Sequence, residues 1–91
     1  MTFTVRYSTL VNPTSLASFP KTDLRKIKMR IEQKLTVNPA LFGKPLRRSL
    51  RGYWSLRIND YRVVYRIQRS EVLIFVIDHR SIVYETAERL I

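Results

Sequence analysis

Two alternating runs meet at the dipeptide Asn59-Asp60, and they leave this chain little freedom there except to fold back on itself as a two-stranded hairpin. With Asn59 and Asp60 as a two-residue turn, Ile58 pairs with Tyr61, Arg57 with Arg62, Leu56 with Val63, Ser55 with Val64, Trp54 with Tyr65 and Tyr53 with Arg66. Side chains alternate along a strand, so Trp54, Leu56, Ile58, Tyr61, Val63 and Tyr65 share an apolar face. Tyr53, Ser55, Arg57, Arg62, Val64 and Arg66 share the other. On that face Arg57 and Arg62 stand directly opposite each other, which costs about 0.2–1 kcal/mol unless an anion sits between them. A single arginine pair can also splay into water at little cost, so the surrounding charge decides the matter.

That charge is strongly one-sided. The chain carries 17 basic and 7 acidic residues over 91 positions, a formal charge of +10. Lys44, Arg47, Arg48, Arg51, Arg57, Arg62, Arg66 and Arg69 face only Asp60 across their stretch. Such a field suits nucleic acid or another polyanion, and an acidic protein partner as well. Its weight toward arginine favours forked recognition of phosphate or carboxylate. The length allows one domain spanning residues 1–91 with one modest core. Cysteine is absent, which removes disulfides and thiolate metal sites. The longest apolar run, Val72 to Ile77, has the length of a strand and not of a membrane span, so a cytoplasmic protein without a membrane partner is expected. Gly43 and Gly52 are the only glycines, and no phosphate-cradling loop can be built from them.

Elsewhere the pattern is mixed α and β. Phe3 to Tyr7 alternates as an opening strand. Asn12-Pro13 offers a cap for a short helix through Leu16 and Phe19, stopped at Pro20. A second helix, capped by Thr22, places Leu24, Ile27, Ile31 and Leu35 at helical spacing before Asn38-Pro39 ends it. Its Lys26, Lys28, Arg30 and Lys34 read as a solvated face. Ala40 to Gly52 is a basic connector, with a short strand allowed at Pro45 to Leu50. After the first hairpin, Arg69-Ser70 turns the chain into Glu71 to Asp78, pairing Ile67 with Val72, Tyr65 with Ile74 and Val63 with Val76. Leu73, Phe75 and Ile77 then fall on the arginine face, and an apolar area of that size calls for a covering element or partner. Thr86 to Ile91 can close the chain with a helical turn or two.

The residues select among chemistries. Two-metal hydrolysis needs clustered carboxylates, whereas Asp23, Glu32, Asp60, Glu71, Asp78, Glu85 and Glu88 are scattered, so no metal or other cofactor is expected. The metal-free route through a ribose 2′-hydroxyl needs alignment, charge stabilisation and proton transfer, and arginines supply the first two. Proton transfer falls to His79, the sole histidine, or to Tyr84. Each has an ordinary alternative: a histidine at a strand end is commonly a turn or packing residue, and Tyr84 can stack or pack. Trp54 belongs to the core face, and Tyr53 lies on the arginine face where it can stack on a base.

The segments Gly43-Lys44-Pro45-Leu46, Leu56 to Tyr65 and His79-Arg80-Ser81-Ile82-Val83-Tyr84 together resemble the RelE branch of the RelE/ParE toxin superfamily. The resemblance implies an α+β fold in which an N-terminal helical hairpin packs on one face of a small, twisted, antiparallel-dominated sheet of about four strands. It implies the toxin of a type II toxin–antitoxin pair, partnered by a cognate antitoxin and by the ribosome with its mRNA. The implied activity is metal-independent cleavage of mRNA in the ribosomal A site by 2′-hydroxyl attack, with Arg62, Arg80, Tyr84 and His79 as catalytic candidates. Arg57, Arg66, Tyr53, Lys44, Arg47, Arg48 and Arg51 are the candidates for binding substrate. Where RelE enzymes place basic residues on the strand before the hairpin turn, this chain has Tyr53 and Ser55, so either Lys44, Arg47, Arg48 or Arg51 substitutes from the connector, His79 does, or cleavage is weak. Two alternatives stand beside this reading: a ParE-type poison of DNA gyrase without nuclease activity, and an inactive nucleic-acid-binding module.

Overall fold

The two hairpins form the centre of a five-stranded sheet, and residues 2–8, 11 and 16–91 are described by a computed structural model. Strand β1 is Thr4–Tyr7, β2 Lys44–Pro45, β3 Trp54–Ile58, β4 Tyr61–Gln68 and β5 Glu71–His79, in the spatial order β1-β5-β4-β3-β2. Helices α1 (Lys21–Leu35), α2 (Pro39–Phe42) and α3 (Val83–Leu90) complete the described elements, with a 3₁₀ turn at Arg48–Leu50. The first hairpin has the expected register throughout, from Ile58 opposite Tyr61 to Trp54 opposite Tyr65. Asn59 takes a left-handed φ of 52°, which its short amide side chain tolerates better than most.

Several features depart from the sequence-based expectation. The sheet has five strands and not about four, and it is mixed: β1 runs parallel to β5, while the other pairings are antiparallel. The strand allowed at Pro45 to Leu50 is only Lys44–Pro45, because the chain then tightens into the 3₁₀ turn. α1 starts at Lys21 after Pro20, not at a Thr22 cap. Of the expected N-terminal helical hairpin, Leu16 and Ala17 are helical, whereas the Asn12-Pro13 start lies outside the described residues.

The second hairpin contains a bulge. Tyr65 pairs with Ile74 as expected, but Val64 pairs with Val76 and Val63 with Ile77, so Phe75 is the extra residue and Val63 does not meet Val76. Beyond the bulge the strand changes phase. Ile77, expected on the arginine face, is buried with α1, and Val76 joins the other side.

Both faces of the sheet are therefore covered. On one, Ile27, Ile31 and Leu35 of α1 pack on Leu56, Ile58, Val63, Tyr65, Val72, Ile74 and Ile77. On the other, Val83 and Ala87 of α3, one helical turn apart, pack with Leu50, Val64 and Val76. α3 covers part of the apolar strip, reaching Phe75 but leaving Leu73 outside both clusters. It begins at Val83, before the expected Thr86, because Val83 itself is drawn into this second core. No helix of the described residues is long and apolar enough to cross a membrane.

Tyr65 links the sheet to the connector. Its ring is 0% exposed, and its hydroxyl donates to the Pro39 carbonyl at 2.6 Å. The same phenol presses on Gly43, where a Cβ would lie 1.7 Å from the hydroxyl oxygen. Gly43→Ala is expected to lower the unfolding free energy by about 1–3 kcal/mol, as overpacked sites do, measured by urea titration. The cost should shrink in a Tyr65→Phe background, which removes the nearest clashing atom.

Burial pushes the Tyr65 phenol far above the ordinary tyrosine value of 10.0. The Tyr61 phenol is also raised, chiefly by its hydrogen bond to Asp23. The folded state thus keeps protons that the unfolded chain releases. Stability is full below about pH 10 and falls as the pH climbs from there toward the folded-state values. Urea titrations at about pH 9 and about pH 11 should show this loss, and Tyr65→Phe should reduce it.

Candidate active site

A cleft of about 560 Å³ opens on the sheet face that carries the opposed arginines, and Lys44, Ser55, Arg57, Arg62, Arg80 and Tyr84 line it. These residues come from five places in the chain. Ser55 and Arg57 are alternate residues of β3, and Arg62 sits opposite Arg57 on β4. Lys44 enters from β2 because it pairs with Ser55 across the ladder. Arg80 follows β5 directly, and Tyr84 projects from the first turn of α3.

No carboxylate lines the cleft, so its positive charge is offset from the rim. Arg62 Nη1 donates to the carbonyls of Asn59 and Tyr61, both at 2.8 Å. Arg80 is tied to the same turn: its backbone N–H donates to the Asp60 carbonyl at 2.7 Å. Its Nε lies 3.9 Å from the Asp60 carboxylate. That ion pair is well exposed, and its own contribution to stability is small. The cleft thus gathers four cations, Arg62 held by backbone carbonyls, Arg80 by the rim residue Asp60, and Lys44 and Arg57 beside them, an arrangement suited to an anion such as a phosphodiester.

Ser55 and Tyr84 add a neutral pair. Their hydroxyls lie 3.0 Å apart, with Ser55 buried and Tyr84 37% exposed. Ser55 was not among the expected site residues. Its position on the arginine face was the available signal, but only the docking of α3 reveals its partner.

The remaining expected residues lie elsewhere. His79 pairs with Tyr61 across the β4–β5 ladder, which sets it on the α1 face, away from the cleft. Its Nδ1 accepts the Ser81 backbone N–H at 3.2 Å and lies 2.8 Å from Ser81 Oγ, and its ring meets the Tyr61 ring edge-on. Tyr53 packs edge-on against Phe75 at 5.2 Å, with the Arg66 guanidinium 5.9 Å from its ring centre. Arg47 lines a neighbouring groove with Lys44, Leu46, Leu50, Tyr84 and Glu88. Arg48 and Arg51 are exposed at the 3₁₀ turn and line neither space. Among the described residues, no group of three or more His, Cys, Asp or Glu side chains could hold a metal ion.

The chain is similar to known proteins over most of its length. Residues 16–84 match the family model described as the ParE toxin of the type II toxin–antitoxin system parDE. Toxin RelG of Mycobacterium tuberculosis is 36% identical over 86 residues, covering 92% of this chain and 98% of that protein. The toxin–antitoxin complex RelBE2 of the same organism contains a chain that superposes with a TM-score of 0.75 at 35% identity, over 88% of this chain and 100% of that one. The RelB–RelE complex of Methanococcus jannaschii, at 16% identity, shares the fold with a TM-score of 0.64 over 87% of this chain and 94% of that one. On this evidence the chain belongs to the RelE/ParE toxin superfamily of type II toxin–antitoxin systems.

Proposed function

We propose that the chain is a metal-independent endoribonuclease that cleaves mRNA in the ribosomal A site. The observation that carries this reading is the convergence of Lys44, Arg57, Arg62 and Arg80 with Tyr84 on one cleft without carboxylates. Arg57 and Arg62 bind the scissile phosphate between them. Attack by the neighbouring 2′-hydroxyl, whose proton passes to solvent water, forms the new bond to phosphorus as the bond to the 5′-oxygen breaks, leaving a 2′,3′-cyclic phosphate and a 5′-hydroxyl. Negative charge grows on the phosphoryl oxygens during this step, and Arg80 and Lys44 stabilise it. Lys44 supplies the charge that a lysine on β3 would otherwise supply. Tyr84, hydrogen-bonded to Ser55, is the neutral group in the cleft able to hand a proton to the departing oxygen. His79, on the far face, has no direct part in this scheme.

The proposed partners follow from the same surface. A ribosome holding mRNA supplies the substrate, with the protein acting in the cytoplasm. A cognate antitoxin, through an acidic or amphipathic segment, neutralises the arginines and covers apolar side chains near Leu73 and Phe75, both only half-buried. The solved relatives that are complexes of toxin with antitoxin support such a pairing.

A second reading is favoured by one observation, the match to the ParE toxin model. A binding poison of DNA gyrase would need the basic surface but no cleavage chemistry. Primer extension on mRNA after induction separates the two: cuts within translated codons are expected, and growth arrest with intact transcripts would reject the nuclease.

Arg80→Ala and Arg62→Ala are each expected to raise the barrier by about 2–4 kcal/mol, as loss of a transition-state donor does, and to relieve growth arrest while circular dichroism stays unchanged. Undiminished arrest in both variants would remove the site assignment. Ser55→Ala should slow cleavage less, by about 0.5–1.5 kcal/mol, the size of one hydrogen bond. Single-turnover rates on programmed ribosomes measure that difference.

A further inference from the structure

A second basic recess adjoins the cleft. Arg30, Lys34, Arg57, Ile58 and Asn59 line a groove of about 250 Å³ between the C-terminal half of α1 and the β3–β4 turn. We propose that this groove is an additional phosphate subsite for the same single-stranded RNA, holding backbone beyond the scissile linkage. The inference rests on the reading of the cleft as an RNA site.

Arg30 and Lys34 are four residues apart on α1, so they lie on one side of the helix about 6 Å apart along its axis. Lys34 is positioned further by Phe42, whose ring centre is 5.5 Å from its Nζ. The acidic residues of α1 are directed elsewhere. Asp23 accepts the Tyr61 hydroxyl at 2.7 Å, and Glu32 stands near Tyr7 of β1, where its charge helps raise that phenol's pKa. No carboxylate lines the groove.

A solvated basic helix explains exposed lysines, but not a concave site closed on its far side by another element's arginine. Arg57 belongs to both the cleft and the groove. A strand leaving the cleft therefore passes one shared guanidinium and meets two further cations in the groove. An acidic amphipathic peptide is the less suitable occupant, because it would also need apolar walls. The recess at Leu16, Ala17, Lys21, Leu24, Arg25 and Lys28 offers more of those.

The test uses fluorescence anisotropy with fully 2′-O-methylated RNA, which cannot supply the attacking hydroxyl, as trinucleotide and nonanucleotide. Arg30→Ala/Lys34→Ala is expected to weaken nonanucleotide binding by about tenfold. The slope of log affinity against log salt should fall by about 1.4, two contacts at about 0.7 each for a single strand. Trinucleotide binding should stay unchanged, and Arg30→Glu alone, at an exposed position, should weaken the longer ligand too. Unchanged nonanucleotide binding overturns the proposal, including the case in which only binding of an acidic antitoxin peptide suffers. Equal losses for both lengths, the mark of a diffuse field, also overturn it, as does a wild-type protein that binds neither. If the double variant shows the length-dependent loss yet the wild-type protein leaves mRNA uncut on ribosomes, the groove stands and the nuclease reading fails.

Discussion

The two-residue turn at Asn59-Asp60 is the constraint from which the rest of the site follows. It sets the register of β3 on β4, and that register puts Arg57 against Arg62 while sending Leu56 and Val63 into the core. A slip of one residue would exchange the two faces, exposing the apolar set and burying guanidinium groups, which is far costlier than the local repulsion it would relieve. Core formation therefore imposes the arginine pair. The turn then moderates the charge it has gathered, since its carbonyls receive Arg62 and its Asp60 meets Arg80.

The sheet works because it is covered twice. One helix layer would have left Val64 and Val76 in water; α3 covers them and brings Tyr84 to the cleft in the same act. Stability and chemistry are joined at this point: Val83 and Ala87 provide the packing, and the intervening face of the helix presents the phenol. The hydrogen bond from Tyr84 to Ser55 fixes where that phenol stands.

Much of this was legible in the residues. Strict alternation on both sides of Asn59-Asp60 specified the first hairpin and helical spacing of Ile27, Ile31 and Leu35 specified α1, while the packing of helices on one face of a sheet was what the family resemblance implied. The resemblance to the toxin superfamily pointed to Arg57, Arg62, Arg80 and Tyr84, which the fold brings to one cleft with Lys44. Other features leave little local trace. A two-residue strand such as β2 has no periodicity to detect, so the pairing of Lys44 with Ser55 exists only in three dimensions. The parallel contact of β1 with β5 joins segments far apart in the chain. Arg30 and Lys34 look like any solvated helix face until the hairpin turn is placed beside them.

The bulge at Phe75 also escapes any reading by alternation, and its effect reaches past geometry. Were β5 regular, the last residues of the strand would rotate half a turn: His79 would look toward the arginines, and Asp78 would be pressed against the α1 layer. One inserted residue thus keeps the imidazole away from the cleft that guanidinium and phenol groups line. In a scaffold of this kind, a change in strand length can rewrite the acid–base repertoire without altering a single reactive side chain.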